Sequence, residues 1–423
     1  MAGCVGLMEW RLSRMDNKLR IAFTLYRGNP HSGGQGVYTA FLTRELAALG
    51  HHVEVFSGPP YPELDARVVL RKVPGLDLFR EPDPFRIPRP SEYRSVEDLL
   101  EVGLMSIGAF PDPKGFGWRL RHHFDELRRD FDVIHDNQSL NWTLAKLARS
   151  GTPVLSSIHH PISVDRRLAL AAASSMKARV GLRRFYSFIP MQVAVARELP
   201  RILTVSTSSA GDLARELGID RRRIAIVPIG VDTDLYAPQP DVHRERGLVC
   251  TTASADVPLK GLRYLIEAIS LLQDTRLIIM GPHQNSTELP LLIARFGLQD
   301  RVTVTGVLSR EEMVQIYARA SVAVVPSLYE GFSLPAVEAM SCAVPLVASR
   351  GGALPEVVGD AGAMTTPGSA RSLAEAIESV LASGTVALER GLYARERAIA
   401  RFSWRSTASA TVGYYRDLLR LGA

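Results

Sequence analysis

Glu330 and Glu338 lie in the segment SLYEGFSLPAVEAMSCAVPLVASRGGALPEVVGD, Ser327 to Asp360. The apolar run ending at Pro326 predicts a strand. Pro335 suits the first turn of a following helix, where a missing N–H costs nothing. The loop between them carries Glu330, Gly331, Phe332 and Ser333, which puts Glu330 just before the helix and Glu338 one turn into it. A helix N-terminus leaves backbone N–H groups unpaired and so forms a ready anion site. Carboxylates flanking such a pocket do not attract phosphate. They accept hydrogen bonds, so they call for hydroxyl donors, which means sugars.

Other groups stand at comparable places. Lys260-Gly261 opens another predicted helix, and an ammonium beside a helix N-terminus stabilises an anion. The loop HSGGQG, His31 to Gly36, follows the first strong strand. It lacks the full GxGxxG spacing, and no acidic residue ends the next strand to hold a ribose, so a nicotinamide dinucleotide finds little to grip. His159 and His160 follow a strand at its carboxyl edge, where ligands of parallel sheets bind, and His135 and Asp136 occupy a similar strand end. Asp130–Phe–Asp132 and Asp232–Thr–Asp234 have the form of a metal-binding triplet. The first opens a strand and the second lies in a linking segment, so no metal is expected.

The elements that must position these residues alternate strand and helix. RIAFTLY, the glycine loop, VYTAFLTRELAALG and HHVEVF open a doubly wound parallel sheet, with Gly50 at the helix C′ position. Val73 to Trp118 breaks the pattern with seven prolines around one helical stretch, SVEDLLEVGLM, and reads as a surface insertion, either decoration or a lid. FDVIHDN, PVLSSIHH, RILTVS and IAIVPIG continue the sheet, with a long helical stretch from about Val164 to Glu198. A polar segment, Tyr236 to Gly247, separates this from a second series of strands, LVCTTA, RLIIMG, RVTVTG, SVAVVP and VPLVAS. Helices of that series are expected near Gly261, Ser286, Ser309 and Pro335. The domain reading is an extension over 1–18, a first domain over 19–240 with its insertion at 73–118, a second over 241–401, and a final helix over 402–423.

With 423 residues, 46% hydrophobic and 22% charged, the chain is globular and not a disordered, collagenous or disulfide scaffold. Fifty Lys and Arg against 44 Asp and Glu leave a net charge of +6, which suits anionic ligands or an anionic membrane without implying nucleic acid. Three cysteines, Cys4, Cys250 and Cys342, form no CxxC pair and point to a reducing, cytoplasmic setting. No run reaches the ~18 apolar residues of a membrane span. Between Asp165 and Arg201 eight basic residues face two acidic ones, interleaved with Phe185, Tyr186 and Phe188. A basic helix with an apolar face can lie on an anionic bilayer, which makes peripheral attachment to the inner membrane face an option beside an ordinary packed helix.

The Glu330 segment resembles that of the retaining, nucleotide-sugar-dependent family-4 glycosyltransferases of the GT-B fold, and the resemblance runs from about Arg20 to Arg420. It implies two Rossmann-like doubly wound parallel sheets facing an interdomain cleft, with the final helix crossing back to the first domain. It implies that Glu330 contacts donor-sugar hydroxyls, that Glu338 contacts the nucleotide ribose, and that the amides of Phe332, Ser333 and Leu334 face sugar and diphosphate. Lys260 would pair with the diphosphate. Gly33, Gly34 and Gly36 would let the backbone approach diphosphate or acceptor, and His159 would lie near donor sugar and acceptor. Gly351-Gly352 and Pro355-Glu356 also match the family. Two positions depart from it: Ile229 replaces a common Asn, and Ser254 and Ala255 stand where the family places an Arg. Hydroxyls of Thr251, Thr252 and Ser254 are candidates to substitute for that Arg.

The resemblance implies transfer of a sugar from a nucleoside-diphosphate sugar to a glycan, lipid-linked or small-molecule hydroxyl, with retention and without metal or added cofactor. A nucleotide-sugar epimerase on the same fold, or a non-catalytic sugar-nucleotide-binding protein, is the alternative. An epimerase would release nucleotide from the donor alone.

Overall fold

The computed structural model describes residues 18–29, 34–80, 83, 85–173, 175–253, 257–281 and 288–421. They form two units. One holds the chain up to Val205, Ser209–Val227 and the chain from Ala408; the other holds Ser206–Ser208 and Pro228–Thr407. The polar segment Tyr236 to Gly247 therefore lies inside the second unit.

The first unit is built on a seven-stranded parallel sheet: β1 (Arg20–Leu25), β2 (His52–Ser57), β3 (Val69–Lys72), β4 (Val133–Asn137), β5 (Val154–Ser157), β6 (Arg201–Thr204) and β7 (Ile224–Ile226), in the order β3-β2-β1-β4-β5-β6-β7. β4 is buried at every position, as a central parallel strand covered on both faces requires. Phe56, Phe116, Leu120, Leu144 and Val195 pack in its core. The strand order reverses between β1 and β4, paired with Thr24 opposite Asp136. A reversal opens a crevice beyond the carboxyl ends of the two strands. Residues 26–29 leave β1 there, and the residues after Asn137 leave β4 there.

The second unit repeats the plan with β8 (Glu245–Thr252), β9 (Arg276–Met280), β10 (Val302–Val304), β11 (Ala320–Val325), β12 (Leu346–Ser349) and β13 (Ala363–Thr365), in the order β10-β9-β8-β11-β12-β13. Leu265, Ile269, Val322 and Ile377 lie in its core. Its reversal falls between β8 and β11, so the segments leading to Lys260 and Glu330 emerge side by side.

Several expectations need correction. The long helix from Val164 to Glu198 is three helices, Ile162–Ala172, Met176–Phe185 and Ile189–Glu198. Ser175 stops and restarts the chain by accepting from the Ala178 N–H, and Pro190 fits the opening turn of the third. The insertion has a second helix, Asp112–Leu120, which tolerates Pro113 because that residue sits in its first turn. Arg119 of this helix pairs with Asp98 and Glu101 of the expected helix, Val96–Ser106. β3 and β13 were not anticipated. Ser286 lies outside the described residues, and the helix there runs Glu288–Arg295. Gly50 has φ +91°, as the C′ position asks. No helix of the described residues is long and apolar enough to cross a membrane.

Candidate active site

In the second unit, two close backbone approaches bring Lys260 and Glu330 together. Gly261 has φ +69°, and a Cβ there would lie 2.1 Å from the Pro326 carbonyl oxygen. The Leu328 N–H donates to the Leu259 carbonyl at 2.8 Å. On the other side, a Cβ on Gly352 would lie 2.2 Å from the Glu330 carbonyl oxygen, and one on Gly351 2.6 Å from those of Ser327 and Leu328. Both glycines are thus needed for the turn after β12 to rest on the Glu330 loop. Lys260 Nζ reaches Glu330 Oε1 at 2.8 Å, and the Ser327 hydroxyl donates to the same oxygen at 2.7 Å. The expected diphosphate cation and the expected sugar acceptor are therefore each other's partners.

Ser333 caps the helix Leu334–Ser341 with φ +90°, a left-handed conformation that a non-glycine residue adopts at a cost. Phe332 beside it is buried against Phe402. Leu334 is exposed and opens the helix; Pro335 after it has no N–H, and the Ala336 N–H donates to the Ser333 hydroxyl. Glu338, one turn on, accepts from the hydroxyls of Tyr236 and Tyr317 near the charge of Arg310. Burial outweighs these contacts and pushes its pKa up to about 7. Tyr317 also bonds the Thr252 hydroxyl at 2.9 Å, while the Thr251 hydroxyl is buried without a partner among the described residues. Ser254 and Ala255 lie outside the described residues. Sequence reasoning missed Ser327, three residues before Glu330 in the same loop, and Tyr236 and Tyr317, which reach Glu338 only through the fold.

In the first unit, Gly34 stands before the helix Gln35–Ala48 with φ +73° and open space around it. Gly36 is excluded from bearing a side chain, since a Cβ would lie 2.1 Å from the Asn29 carbonyl oxygen. Gly33 lies outside the described residues. The half-buried His159 is held on two sides: its backbone N–H donates to Gln138 Oε1 at 3.0 Å and its Nε2 meets Asn137 Oδ1 at 2.9 Å. Asn137 Nδ2 donates to the Gln35 carbonyl and the Thr39 hydroxyl, which leaves Oδ1 as the acceptor. The network therefore puts the ring proton on Nε2. Nδ1 keeps a lone pair that is buried and has no partner among the described residues. Burial also lowers the His159 pKa to about 4, so the ring is neutral. His160 reaches Asp165 at the surface. Asp136 is buried and accepts from Thr24, Ser139, Leu140 and Ser156, which fixes the loop holding Gln138.

One member of each Asp triplet serves the backbone. Asp132 accepts from the Arg20 N–H at 2.7 Å, and Asp232 from that of Leu235 at 3.2 Å. Among the described residues no three His, Cys, Asp or Glu gather as a metal site.

Residues 246–383 match the family model described as glycosyl transferases group 1, and residues 32–235 match that of glycosyltransferase family 4. An MMP alpha-(1->4)-mannosyltransferase of Mycolicibacterium hassiacum is 46% identical over 408 residues, covering 95% of this chain and 98% of that protein. The chain is a family-4, group 1 glycosyltransferase. This glycosyltransferase is also 28% identical to a D-inositol 3-phosphate glycosyltransferase of Mycolicibacterium smegmatis, over 92% of the chain and 87% of the relative. In fold it resembles sucrose-phosphate synthase of Thermosynechococcus elongatus, with TM-score 0.70, 23% identity and coverage of 96% and 100%. The same holds for Anabaena HepE in complex with UDP-glucose, with TM-score 0.63, 18% identity and coverage of 94% and 98%. The two Rossmann-like sheets are those of the GT-B fold, and glycosyl transfer is the activity; the epimerase and non-catalytic alternatives are not favoured.

Proposed function

We propose that this glycosyltransferase is an α-(1→4)-mannosyltransferase that draws on a nucleoside-diphosphate mannose. The observation carrying this reading is its 46% identity, end to end, with the Mycolicibacterium hassiacum enzyme of that name. The acceptor would then be a glycan of the kind that relative's name specifies. Lys260 and the backbone amides of Phe332, Ser333 and Leu334 hold the diphosphate and face the sugar, Glu330 takes hydroxyls of the mannose, and Glu338 those of the ribose. The bare Nδ1 of His159 accepts a sugar hydroxyl, a role its neutral ring suits. No side chain is placed as a nucleophile. The acceptor oxygen bonds to the anomeric carbon as the bond to the diphosphate breaks, and its proton passes to a phosphate oxygen. Attack on the leaving-group face gives retention.

Incubation with nucleoside-diphosphate mannoses and manno-oligosaccharides bearing a free 4-hydroxyl tests this. Nuclear magnetic resonance of the product should show a new α-(1→4)-mannosyl unit. Preference for a different sugar would overturn the donor assignment, and a β-linked product would overturn retention.

One observation supports a membrane surface as an additional partner. The Met176–Phe185 helix has no buried residue, carries Lys177, Arg179, Arg183 and Arg184 without an acidic residue, and exposes Met176 and Val180. Such a helix can lie on anionic lipid headgroups.

A further inference from the structure

The first unit contains a buried chain of side chains that glycosyl transfer as described leaves without a role. It begins at Tyr415, fully buried on the last helix, Trp404–Leu421. The Tyr415 hydroxyl meets His135 Nδ1 at 2.6 Å, and His135 Nε2 meets the Ser157 hydroxyl at 2.7 Å. Ser157 in turn meets the Tyr38 hydroxyl at 3.3 Å. The Tyr38 ring stands edge-on to His159, with centroids 4.4 Å apart. All four members are buried, and Phe23 packs on the His135 ring at 4.4 Å.

The chemistry of the chain is directional. A neutral imidazole has one N–H and one lone pair, so it must donate at one nitrogen and accept at the other. If Tyr415 donates to Nδ1, then Nε2–H donates to Ser157, whose own proton is free for Tyr38; if Nδ1–H donates to Tyr415 instead, Ser157 gives its proton to Nε2 and Tyr38 must donate to Ser157. Burial lowers the His135 pKa to about 3 and raises that of Tyr38 to about 12, so no charge interrupts the series. Hydrogen bonds in such a chain polarise and orient one another, and truncating one end disturbs the other. The far end is the Tyr38 ring, on the helix that follows the glycine loop and against the ring of His159.

We propose that Tyr415 is a positioning residue for glycosyl transfer: through His135, Ser157 and Tyr38 its hydroxyl fixes the orientation of His159 and of the helix behind the glycine loop. The proposal rests on the reading of His159 as a sugar-facing group. The last helix then serves the reaction as well as the fold.

Tyr415→Phe keeps the ring and removes only the hydroxyl. It should lower kcat by roughly five- to twentyfold, the loss of one buried hydrogen bond, while leaving donor KM within about twofold. Tyr414→Phe on the same helix should leave both unchanged. Combining Tyr415→Phe with Tyr38→Phe should cost little more than the worse single change, because members of one chain are non-additive. The ¹⁵N resonances of the His159 ring should move in Tyr415→Phe, which a purely structural hydroxyl would not cause in a folded protein of unchanged stability. Wild-type kcat with unmoved His159 resonances would overturn the proposal. If Tyr415→Phe fails to fold, Ser157→Ala cuts the same chain at its middle and is judged by the same two readouts. His159→Ala separates the two readings: full kcat in that variant would overturn both. Loss there, with a normal Tyr415→Phe, overturns only the role of Tyr415.

Discussion

Glu330 carries the sharpest single-residue prediction. Its carboxylate is shared between Lys260 and Ser327, so a donor sugar must enter an arrangement already charged and ordered. Removing a charged acceptor of hydroxyl hydrogen bonds costs about 1.5–3 kcal/mol, so Glu330→Gln should cut kcat/KM by roughly ten- to a hundredfold with little change in melting temperature. Near-wild-type turnover would exclude it from the donor site. Glu338 gives two trends of opposite sign. Its folded pKa, about 7, lies above the ordinary carboxyl value, so its contribution to stability is full at low pH and is lost as pH rises through 7. Glu338→Gln should therefore melt higher than wild type at pH 8 and no higher near pH 4. On the proposed reading the ribose hydroxyls meet Glu338 as a carboxylate, so donor affinity in the wild type should weaken as pH falls through 7 and stay flat in the Gln variant. Calorimetry across that range checks both. The glutamates were legible because their strand–loop–Pro–helix setting is local. The partners Tyr236, Tyr317 and Asn137 were not, since each reaches its residue through sheet topology or a distant stretch of chain. Nor could the left-handed φ of Ser333 be read, because its side chain alone favours no such conformation.

At the scale of elements, the diphosphate is assigned to Lys260 and a helix N-terminus, a combination that supplies positive potential without a Lewis acid. EDTA should leave the transfer rate within about twofold, as expected where no metal polarises the leaving group. Loss of activity restored by Mg²⁺ or Mn²⁺ would overturn this and return the Asp triplets to consideration. The central strands were readable as short apolar runs ending in loop residues, because they are buried on both faces. β3 was not, since none of its residues is buried and its sequence lacks that signature. β13 is three residues long, too short for periodicity to register. The long basic stretch read as one helix because its composition is uniformly helix-compatible. Its division depends on Ser175 as a cap and on Pro190, local signals that a search for periodicity passes over.

For the whole molecule, the two-sheet plan, the family and the basic stretch were legible, while the sugar and the linkage stand as a proposal drawn from one relative. The membrane reading is tested on the intact protein. The four cations of the Met176–Phe185 helix are exposed, and each contributes about 1 kcal/mol near an anionic surface. Exposed charges are screened over ~10 Å at 0.1 M salt, so cosedimentation with anionic vesicles should be clear at low salt, weak at high salt and absent with neutral lipid. Changing Arg179, Arg183 and Arg184 together to Ser should reduce it without unfolding the protein. Indifference to anionic vesicles at low salt would leave an acceptor free in solution as the better reading. The return of the chain from Ala408 to the first unit also has a bearing on biosynthesis. His135 and Tyr415 are 280 residues apart in sequence, and at about 5–20 residues per second a ribosome needs on the order of tens of seconds to bridge them. Throughout that interval the nascent first unit holds an imidazole whose tyrosine partner has not been made. The second unit, continuous apart from Ser206–Ser208, has all its strands in hand before the first can close.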